Sequence, residues 1–106
     1  MPWILQQYED SRGDRPVGKF LESLAEADRG AVKAKLVYLQ ERGNQLREPI
    51  SKSLGGGLFE LRVKAYRLFF CFRPGNRILV LHGFMKKSQA APKRELDLAR
   101  KRMKEV

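Results

Sequence analysis

Three β-rich runs with almost no connector between them narrow the possible folds of this 106-residue chain more than any other feature. The runs cover residues 58–64, 66–73 and 77–84. Pro74-Gly75-Asn76 is a strong turn signal between the second and third runs, and only Lys64-Ala65 is left to join the first two. Strands joined this closely pair with antiparallel neighbours. The sequence therefore predicts a small antiparallel sheet at the centre of the molecule.

Helical periodicity lies on both sides of these runs. Apolar residues spaced at i, i+3, i+4 and i+7 predict two helices before the sheet, joined by a short link, and one helix after it, over about residues 92–103. The three apolar stripes are Val17-Phe20-Leu21-Leu24, Val32-Leu36-Leu39 and Leu96-Ala99-Met103. Asp14 and Pro16 are start signals for the first helix, and Gly43 is a stop signal for the second. A short first strand is predicted over residues 3–8.

The order of these elements predicts one α+β domain over residues 1–106. We expect an antiparallel-dominated sheet of about four strands, an N-terminal helical hairpin and a C-terminal helix, with the helices on one face of the sheet. Residues 44–57 are interpreted as a loop. Gly55-Gly56-Gly57 is interpreted as a flexible turn, because it opens no helix and lacks the Gly-Lys-Ser/Thr ending of a phosphate-binding loop.

Positive charge is concentrated in one third of the chain. The net charge is +10, yet residues 61–94 carry nine basic side chains and no acidic one, while the other residues are nearly balanced. Such a concentration attracts polyanions, so we expect a nucleic-acid partner. A solvated basic face, or a surface that binds an acidic protein, is the alternative.

Several classes of protein are excluded by composition. One cysteine and one histidine allow neither an internal disulfide nor a His/Cys zinc site, so we expect no metal and no cofactor. No apolar run approaches the roughly 20 residues of a membrane span, and the N-terminus lacks the basic start of a signal peptide. A cytoplasmic protein without membrane contact is expected.

Alternation along the strands predicts an arginine pair. If Lys64-Ala65 is a two-residue hairpin loop, apolar residues of the first two runs meet on one face, and Arg62 stands directly opposite Arg67 on the other. Like charges in that position destabilise a sheet. Two guanidiniums side by side, however, match the oxygens of a phosphate. A one-residue slip of register would reverse the faces, and arginines splayed into water are the alternative.

Groups that could move protons are few. RNA can be cut without metal if a base deprotonates the 2′-hydroxyl, an acid protonates the leaving 5′-oxygen and cations stabilise the transition state. His82 is the only imidazole. A three-residue loop at 74–76 would place it on the core face with Leu68, and a two-residue loop would place it beside Phe69 on the arginine face. Glu60 is the only carboxylate near that face, where it is either a candidate base or a neutralising partner of Arg62.

Four stretches carry a family resemblance: Leu-Gly-Gly-Gly-Leu-Phe-Glu-Leu-Arg at 54–62, Tyr-Arg-Leu-Phe-Phe at 66–70, Leu-His-Gly-Phe-Met-Lys-Lys at 81–87 and Pro-Lys-Arg-Glu at 92–95. In this combination the chain resembles the phage-derived HigB-like branch of the RelE toxin superfamily. The resemblance implies a RelE-like fold and a type II toxin that cuts messenger RNA on the ribosome without metal. It also implies an antitoxin partner with a helix-turn-helix domain, and contact with operator DNA only through that antitoxin.

Residue roles follow from the same resemblance. Arg67 matches the arginine assigned to the scissile phosphate, while Arg62 and Lys87 match basic positions of the catalytic site. The remaining basic side chains expected to contact RNA are Lys64, Lys86, Arg73 and Lys93. Glu60 departs from RelE itself, which has a lysine there, and no tyrosine or histidine follows Met85. These departures motivate a second hypothesis, a non-catalytic RNA- or ribosome-binding module. An accessory subunit that docks an acidic protein is the third.

Overall fold

The computed structural model describes residues 3–87 and 92–106 and confirms the α+β class. Two helices lie between the first and second strands, and a third follows the last strand. The elements are β1 (Ile4–Gln7), α1 (Pro16–Glu22), α2 (Glu26–Arg42), β2 (Ser51–Gly55), β3 (Leu58–Val63), β4 (Tyr66–Arg73), β5 (Arg77–Met85) and α3 (Lys93–Lys104).

The sheet has five strands in the order β1-β5-β4-β3-β2. β1 is parallel to β5, and the other pairs are antiparallel. The interpretation of residues 44–57 as a loop is wrong over β2. This edge strand is bound to β3 through its backbone, with Ser51 opposite Leu61 and Ser53 opposite Phe59. Because its side chains are largely exposed, β2 shows no apolar alternation.

Gly56 and Gly57 form the two-residue connection between β2 and β3, and both have positive φ. Hairpin connections of this length favour positive φ at their central residues, a conformation that glycine adopts without steric cost. The glycine triplet is therefore a tight hairpin turn rather than a loose segment before an isolated strand.

The helix boundaries follow from local chemistry. α1 begins at Pro16 as its first residue, preceded by Arg15, so Asp14 does not cap it. Instead, the Asp14 N–H donates to the Asp10 carboxylate at 2.9 Å. α2 ends at Gly43, as predicted, with a φ of +56°. A Cβ at Gly43 would lie 1.9 Å from Nε1 of Trp3, so only glycine fits beneath that ring.

Helices cover both faces of the sheet, and the expectation that they share one face is wrong. α1 and α2 pack on the face that carries Leu61, Leu68 and Phe70. Ala99 of α3 packs on the opposite face with Phe69, among other residues. The apolar stripe of α3 needs a surface to bury, and the first face is already occupied by the helical hairpin. We call the second surface the α3 face.

The predicted β3–β4 register is confirmed. Val63 lies opposite Tyr66, Leu61 opposite Leu68 and Phe59 opposite Phe70, joined by the two-residue turn at Lys64-Ala65. Lys64 has a φ of +55°, although it is not a glycine. From α2, the Asp28 carboxylate accepts a 2.8 Å hydrogen bond from Lys64 Nζ and a 2.7 Å bond from the Tyr66 hydroxyl. These two bonds hold the turn in a conformation that its residue types do not favour.

His82 reaches the arginine side of the sheet by a route that neither loop length anticipates. The β4–β5 loop has three residues, since Arg73 pairs with Arg77. That loop alone would place His82 on the core face. The register shifts along β5, however, so that Phe70 faces Val80 and Phe69 faces His82. The extra residue, Leu81, is a β-bulge, which returns His82 to the α3 face.

Candidate nucleic-acid interface

Arg62 and Arg67 stand directly opposite each other on the α3 face, beside the turn at Lys64-Ala65. Arg67 Nη1 donates to the carbonyl oxygens of Lys64 at 2.9 Å and Tyr66 at 2.8 Å. These bonds hold the guanidinium of Arg67 against the turn. The side chains of Arg62 and Arg67 are 31% and 16% exposed, respectively, so both can be reached from solvent. We call these two residues the arginine pair.

The carboxylate of Glu60 lies against both residues of the arginine pair. Its Oε1 accepts a hydrogen bond from Arg62 Nε at 2.8 Å and lies 3.8 Å from Arg67 Nε. Glu60 is only 6% exposed. The Arg67 Nε is buried and has no hydrogen-bond partner within the described residues. The anion between the two guanidiniums is thus a carboxylate of the protein itself, and one guanidinium nitrogen is left unsatisfied.

Lysines stand at the same end of the sheet. The Lys86 backbone N–H donates to the Ala65 carbonyl at 2.8 Å, which places Lys86 and the exposed Lys87 beside the turn. Lys64 also belongs to the turn, but its ammonium is paired with Asp28 of α2. Its charge is therefore directed towards α2 rather than towards the arginine pair.

His82 is held on both ring nitrogens. Nε2 lies 2.9 Å from Oε1 of Glu95, and Nδ1 lies 3.3 Å from Nη1 of Arg102. A guanidinium can only donate, so Nδ1 accepts and Nε2–H donates to Glu95. Phe84 stacks on the ring at a centroid distance of 5.6 Å. The side chain is 13% exposed.

Glu60 and His82 lie on opposite sides of β4, the strand that carries Arg67. Phe69 separates them, because Glu60 and His82 are its neighbours on β3 and β5. Two strand spacings amount to roughly 10 Å. The carboxylate and the imidazole therefore lie on either side of the strand that carries Arg67, with the buried Phe69 between them.

The family model of the phage-derived Gp49-like proteins (DUF891) matches residues 19–104. The chain belongs to this Gp49-like family. The free E. coli toxin RelE, as a double arginine-to-alanine mutant, superimposes with a TM-score of 0.66 at 20% identity, over 97% of this chain and 99% of that one. A chain of the toxin–antitoxin complex RelBE2 from Mycobacterium tuberculosis gives 0.58 at 17% identity, over 81% and 100%. No curated protein matches the chain.

These likenesses confirm the predicted family resemblance and the RelE-like fold of this Gp49-like protein. The roles expected for individual residues stay predictions. The structure brings together Arg62, Arg67 and Glu60, with Lys86 and Lys87 at the adjacent turn.

Of the residues predicted to contact RNA in this Gp49-like protein, Arg73 lies away from the arginine pair and Lys93 is held in an ion pair. Arg73 is six residues beyond Arg67 on β4, or roughly 20 Å along the strand. Lys93 is the first residue of α3, where its exposed ammonium pairs with Asp97 at 3.0 Å. The basic residues therefore do not form one continuous cluster.

Three residues with a part in the site were not identified from the sequence. Asp28 holds the turn of the arginine pair, while Glu95 and Arg102 hold His82. Each of them lies at least 13 residues from its partner in the chain, and charged residues on a helix normally face solvent. The one sequence signal was the two-residue connection at Lys64-Ala65. It lacks glycine, which indicates that a side chain from another element stabilises the turn.

Hydrogen bonding and burial shift several pKa values near the sheet. The Lys64 ammonium and the Tyr66 hydroxyl lower the pKa of Asp28. The same bond to Asp28 raises the pKa of Tyr66, because the neutral hydroxyl is the donor. Burial raises the pKa of Cys71, which keeps its thiol protonated and argues against a nucleophilic role.

Within residues 3–87 and 92–106, no three His, Cys, Asp or Glu side chains are grouped so as to hold a metal ion. No helix in the same part of the chain is long and apolar enough to cross a membrane.

Proposed function

We propose that this Gp49-like protein is the toxin of a type II toxin–antitoxin system and cleaves messenger RNA on the ribosome. The observation that carries the proposal is the arginine pair, two guanidiniums placed side by side on a RelE-like fold. Such a pair is costly in a sheet unless an anion lies between them. The likeness to the toxin RelE and to a chain of a toxin–antitoxin complex supports the same reading.

The proposed chemistry is attack of the 2′-oxygen on the adjacent phosphorus, which breaks the bond to the 5′-oxygen. Arg67 and Arg62 stabilise the charge that develops on the phosphate oxygens, and Lys87 adds a further positive charge. Glu60 is the candidate base for the 2′-hydroxyl proton, and His82 is the candidate acid for the leaving 5′-oxygen. Glu60 must first release Arg62. His82 must first release Arg102 and take up a proton on Nδ1, and it must release Glu95 so that the imidazolium can give its Nε2 proton to the leaving oxygen.

The proposed RNA contacts follow from the positions of the charges, and the proposed antitoxin follows from the family resemblance. Lys86 and Lys87, beside the turn, hold the RNA backbone near the arginine pair, and Lys64 contributes when it leaves Asp28. An antitoxin with a helix-turn-helix domain silences the protein and provides its contact with operator DNA. The proposed compartment is the cytoplasm, where ribosomes and antitoxin are present.

Growth arrest on expression tests the proposal. We expect arrest with the wild type and with Lys33→Ala, a change at an exposed lysine of α2. Arrest should disappear in Arg67→Ala, since the scissile phosphate loses its fixed guanidinium, and co-expressed antitoxin should rescue the wild type. Urea unfolding of the purified variants shows whether each is folded. An Arg67→Ala protein that is folded and equally toxic would show that the site assignment is wrong.

A non-catalytic RNA-binding module of the same fold is the second candidate function. It is favoured by two observations: Glu60 occupies the arginine pair, and both ring nitrogens of His82 are engaged. Mapping of RNA ends on translating ribosomes separates the candidates. Defined cuts that depend on Arg67 support the nuclease, whereas ribosome occupancy without cuts supports the module.

A further inference from the structure

A second pair of arginines lies at the other end of the α3 face. Arg73 at the end of β4 stands directly opposite Arg77 at the start of β5. Both line a groove of about 710 Å³, to which Arg15 also contributes. Gln6 of β1, the edge strand next to β5, lies on the same groove. The repeated placement of opposed arginines is unusual for one small sheet, because each such pairing brings like charges together.

The charges of this second pair are not neutralised within the described part of the chain. Arg73 forms no hydrogen bond or ion pair there, and Arg77 donates only its Nε, to the Pro74 carbonyl at 2.8 Å. Glu9 is the groove's one acidic side chain, and it lies 3.9 Å from Arg15 rather than beside the pair. Hydrogen-bond donors of both guanidiniums therefore remain available to an anion with several oxygens.

The groove is separate from the arginine pair at Arg62 and Arg67. Arg73 lies six positions along β4 from Arg67, a distance of roughly 20 Å. Between them α3 packs on the sheet, with Ala99 buried in the same cluster as Phe69 and Cys71. A single phosphate cannot reach both pairs, and a backbone that joined them would have to pass around α3.

We propose that the groove at Arg73 and Arg77 is a second RNA site, which binds backbone phosphate of a segment distinct from the one at Arg62 and Arg67. A phosphodiester presents two free oxygens, which suit two planar forks. Tyr8, the groove's aromatic residue, is buried and cannot stack on a base. The site therefore binds the backbone without reading sequence. This site goes beyond the proposed cleavage and does not depend on it.

An acidic peptide is the less favoured ligand for this groove. Of the apolar side chains that line the groove, Leu79 is buried and Leu5 is half-buried, so only Val106 offers a peptide a largely exposed apolar contact. Affinity would rest mainly on the arginines, an arrangement that a regularly charged RNA backbone satisfies better.

Binding of a single-stranded 20-nucleotide 2′-O-methyl RNA, followed by fluorescence anisotropy, tests the proposal, because this probe cannot be cut by 2′-oxygen attack. We expect Arg73→Ala/Arg77→Ala to weaken binding at least about fivefold and to lower the salt slope by about 1.4, that is, about 0.7 for each phosphate contact. The matched control is Lys33→Ala/Lys101→Ala, which removes two exposed charges elsewhere. Urea unfolding verifies that both proteins are folded.

Each outcome separates this site from the proposed function. A folded Arg73→Ala/Arg77→Ala protein that binds the probe like the control would overturn the second site, even if the wild type cleaves RNA. Wild-type binding that depends on Arg73 and Arg77 supports the site, even if no cleavage is found. Polyglutamate that competes better than the RNA probe, in an arginine-dependent way, would overturn it in favour of an acidic protein partner.

Discussion

At the scale of single residues, Glu60 controls the arginine pair. Its buried carboxylate lies against both guanidiniums and takes the position that a phosphate oxygen would need. Removing one partner of a buried ionic group leaves the others unpaired, which destabilises a fold. The same removal leaves the guanidiniums free for an external anion. Removing the Glu60 carboxylate should therefore lower the stability of the fold and strengthen the binding of an external anion.

We expect Glu60→Gln to lower the free energy of unfolding by about 1–3 kcal/mol, because a charge-assisted hydrogen bond is lost. It should also bind inorganic phosphate several-fold more tightly than the wild type, because the competing carboxylate is gone. Urea unfolding and isothermal titration calorimetry measure the two effects. Glu41→Gln, at an exposed position of α2, is the control. Lower stability with unchanged phosphate affinity would contradict the competition.

Replacement by alanine should change the free energy of unfolding in opposite directions at Gly83 and Gly30. A Cβ at Gly83 would lie 2.6 Å and 2.8 Å from ring carbons of Phe20, so we expect Gly83→Ala to destabilise by about 1–3 kcal/mol through overpacking. Gly30 lies within α2 with open space around it, so Gly30→Ala should stabilise by about 0.5–1 kcal/mol. Urea midpoints give both values. A stable Gly83→Ala protein would mean that Phe20 moves aside freely.

At the scale of elements, Asp28 ties the first turn of α2 to the β3–β4 hairpin. The hairpin carries Arg62 and Arg67, and the Lys64 carbonyl that fixes Arg67 belongs to the same turn. The position of the arginine pair is therefore set by contact between a helix and a hairpin rather than by the hairpin alone.

Stability should depend on pH through Asp28. Because its pKa is lowered in the folded state, its contribution is complete above the ordinary carboxyl value of about 4 and is lost as the pH falls through the lower folded value. We expect Asp28→Asn to be less stable than the wild type at pH 7 and to lose less stability on acidification. Urea midpoints between pH 7 and pH 2.5 test this. Asp97→Asn, on the exposed side of α3, should behave like the wild type throughout.

The same bond acts on Tyr66 at high pH. Its raised pKa means that the contribution of the neutral hydroxyl is complete below about pH 10 and is lost as the pH rises through the folded value. Tyr66→Phe should therefore lose less stability than the wild type under alkaline conditions. An equal alkaline loss in both proteins would show that the Tyr66 hydroxyl does not contribute.

At the scale of the whole molecule, the charge that the sequence concentrates between residues 61 and 94 is divided over both ends of one sheet face. β4 carries one arginine of each pair, and α3 lies between the two. A polyanion therefore meets two separate positive regions rather than one patch. The net charge of +10 attracts polyanions in general, and we expect the two regions to determine where RNA is held.

RNA affinity should fall steeply with salt. Each phosphate contact on a single strand contributes about 0.7 to the slope of log affinity against log salt. We expect Arg62→Ala/Arg67→Ala to lower that slope by about 1.4 with the 2′-O-methyl probe, while Lys33→Ala/Lys101→Ala lowers it less. An unchanged slope in the folded arginine variant would show that Arg62 and Arg67 do not contact the backbone.

The central β strands and the register between β3 and β4 could be predicted from the amino-acid sequence. Alternation has a period of two residues, so a two-residue loop at Lys64-Ala65 and burial of one apolar face place Arg62 opposite Arg67, whereas a one-residue slip would reverse the faces. The helices likewise follow from their apolar stripes, and the family resemblance follows from residues 54–95. These features are local, since each depends on neighbours in the chain or on a tight turn.

Contacts between distant elements settled the rest. β2 forms through backbone hydrogen bonds, which leave no trace in side-chain type. The bulge at Leu81, a shift in the register between β4 and β5, places His82 on the α3 face. α3 covers the second face because the first is filled, and Glu60 closes the arginine pair because a buried guanidinium requires an anion. Sequence patterns indicate which side chains are buried. Which residue each of them contacts depends on how distant elements pack in the folded chain.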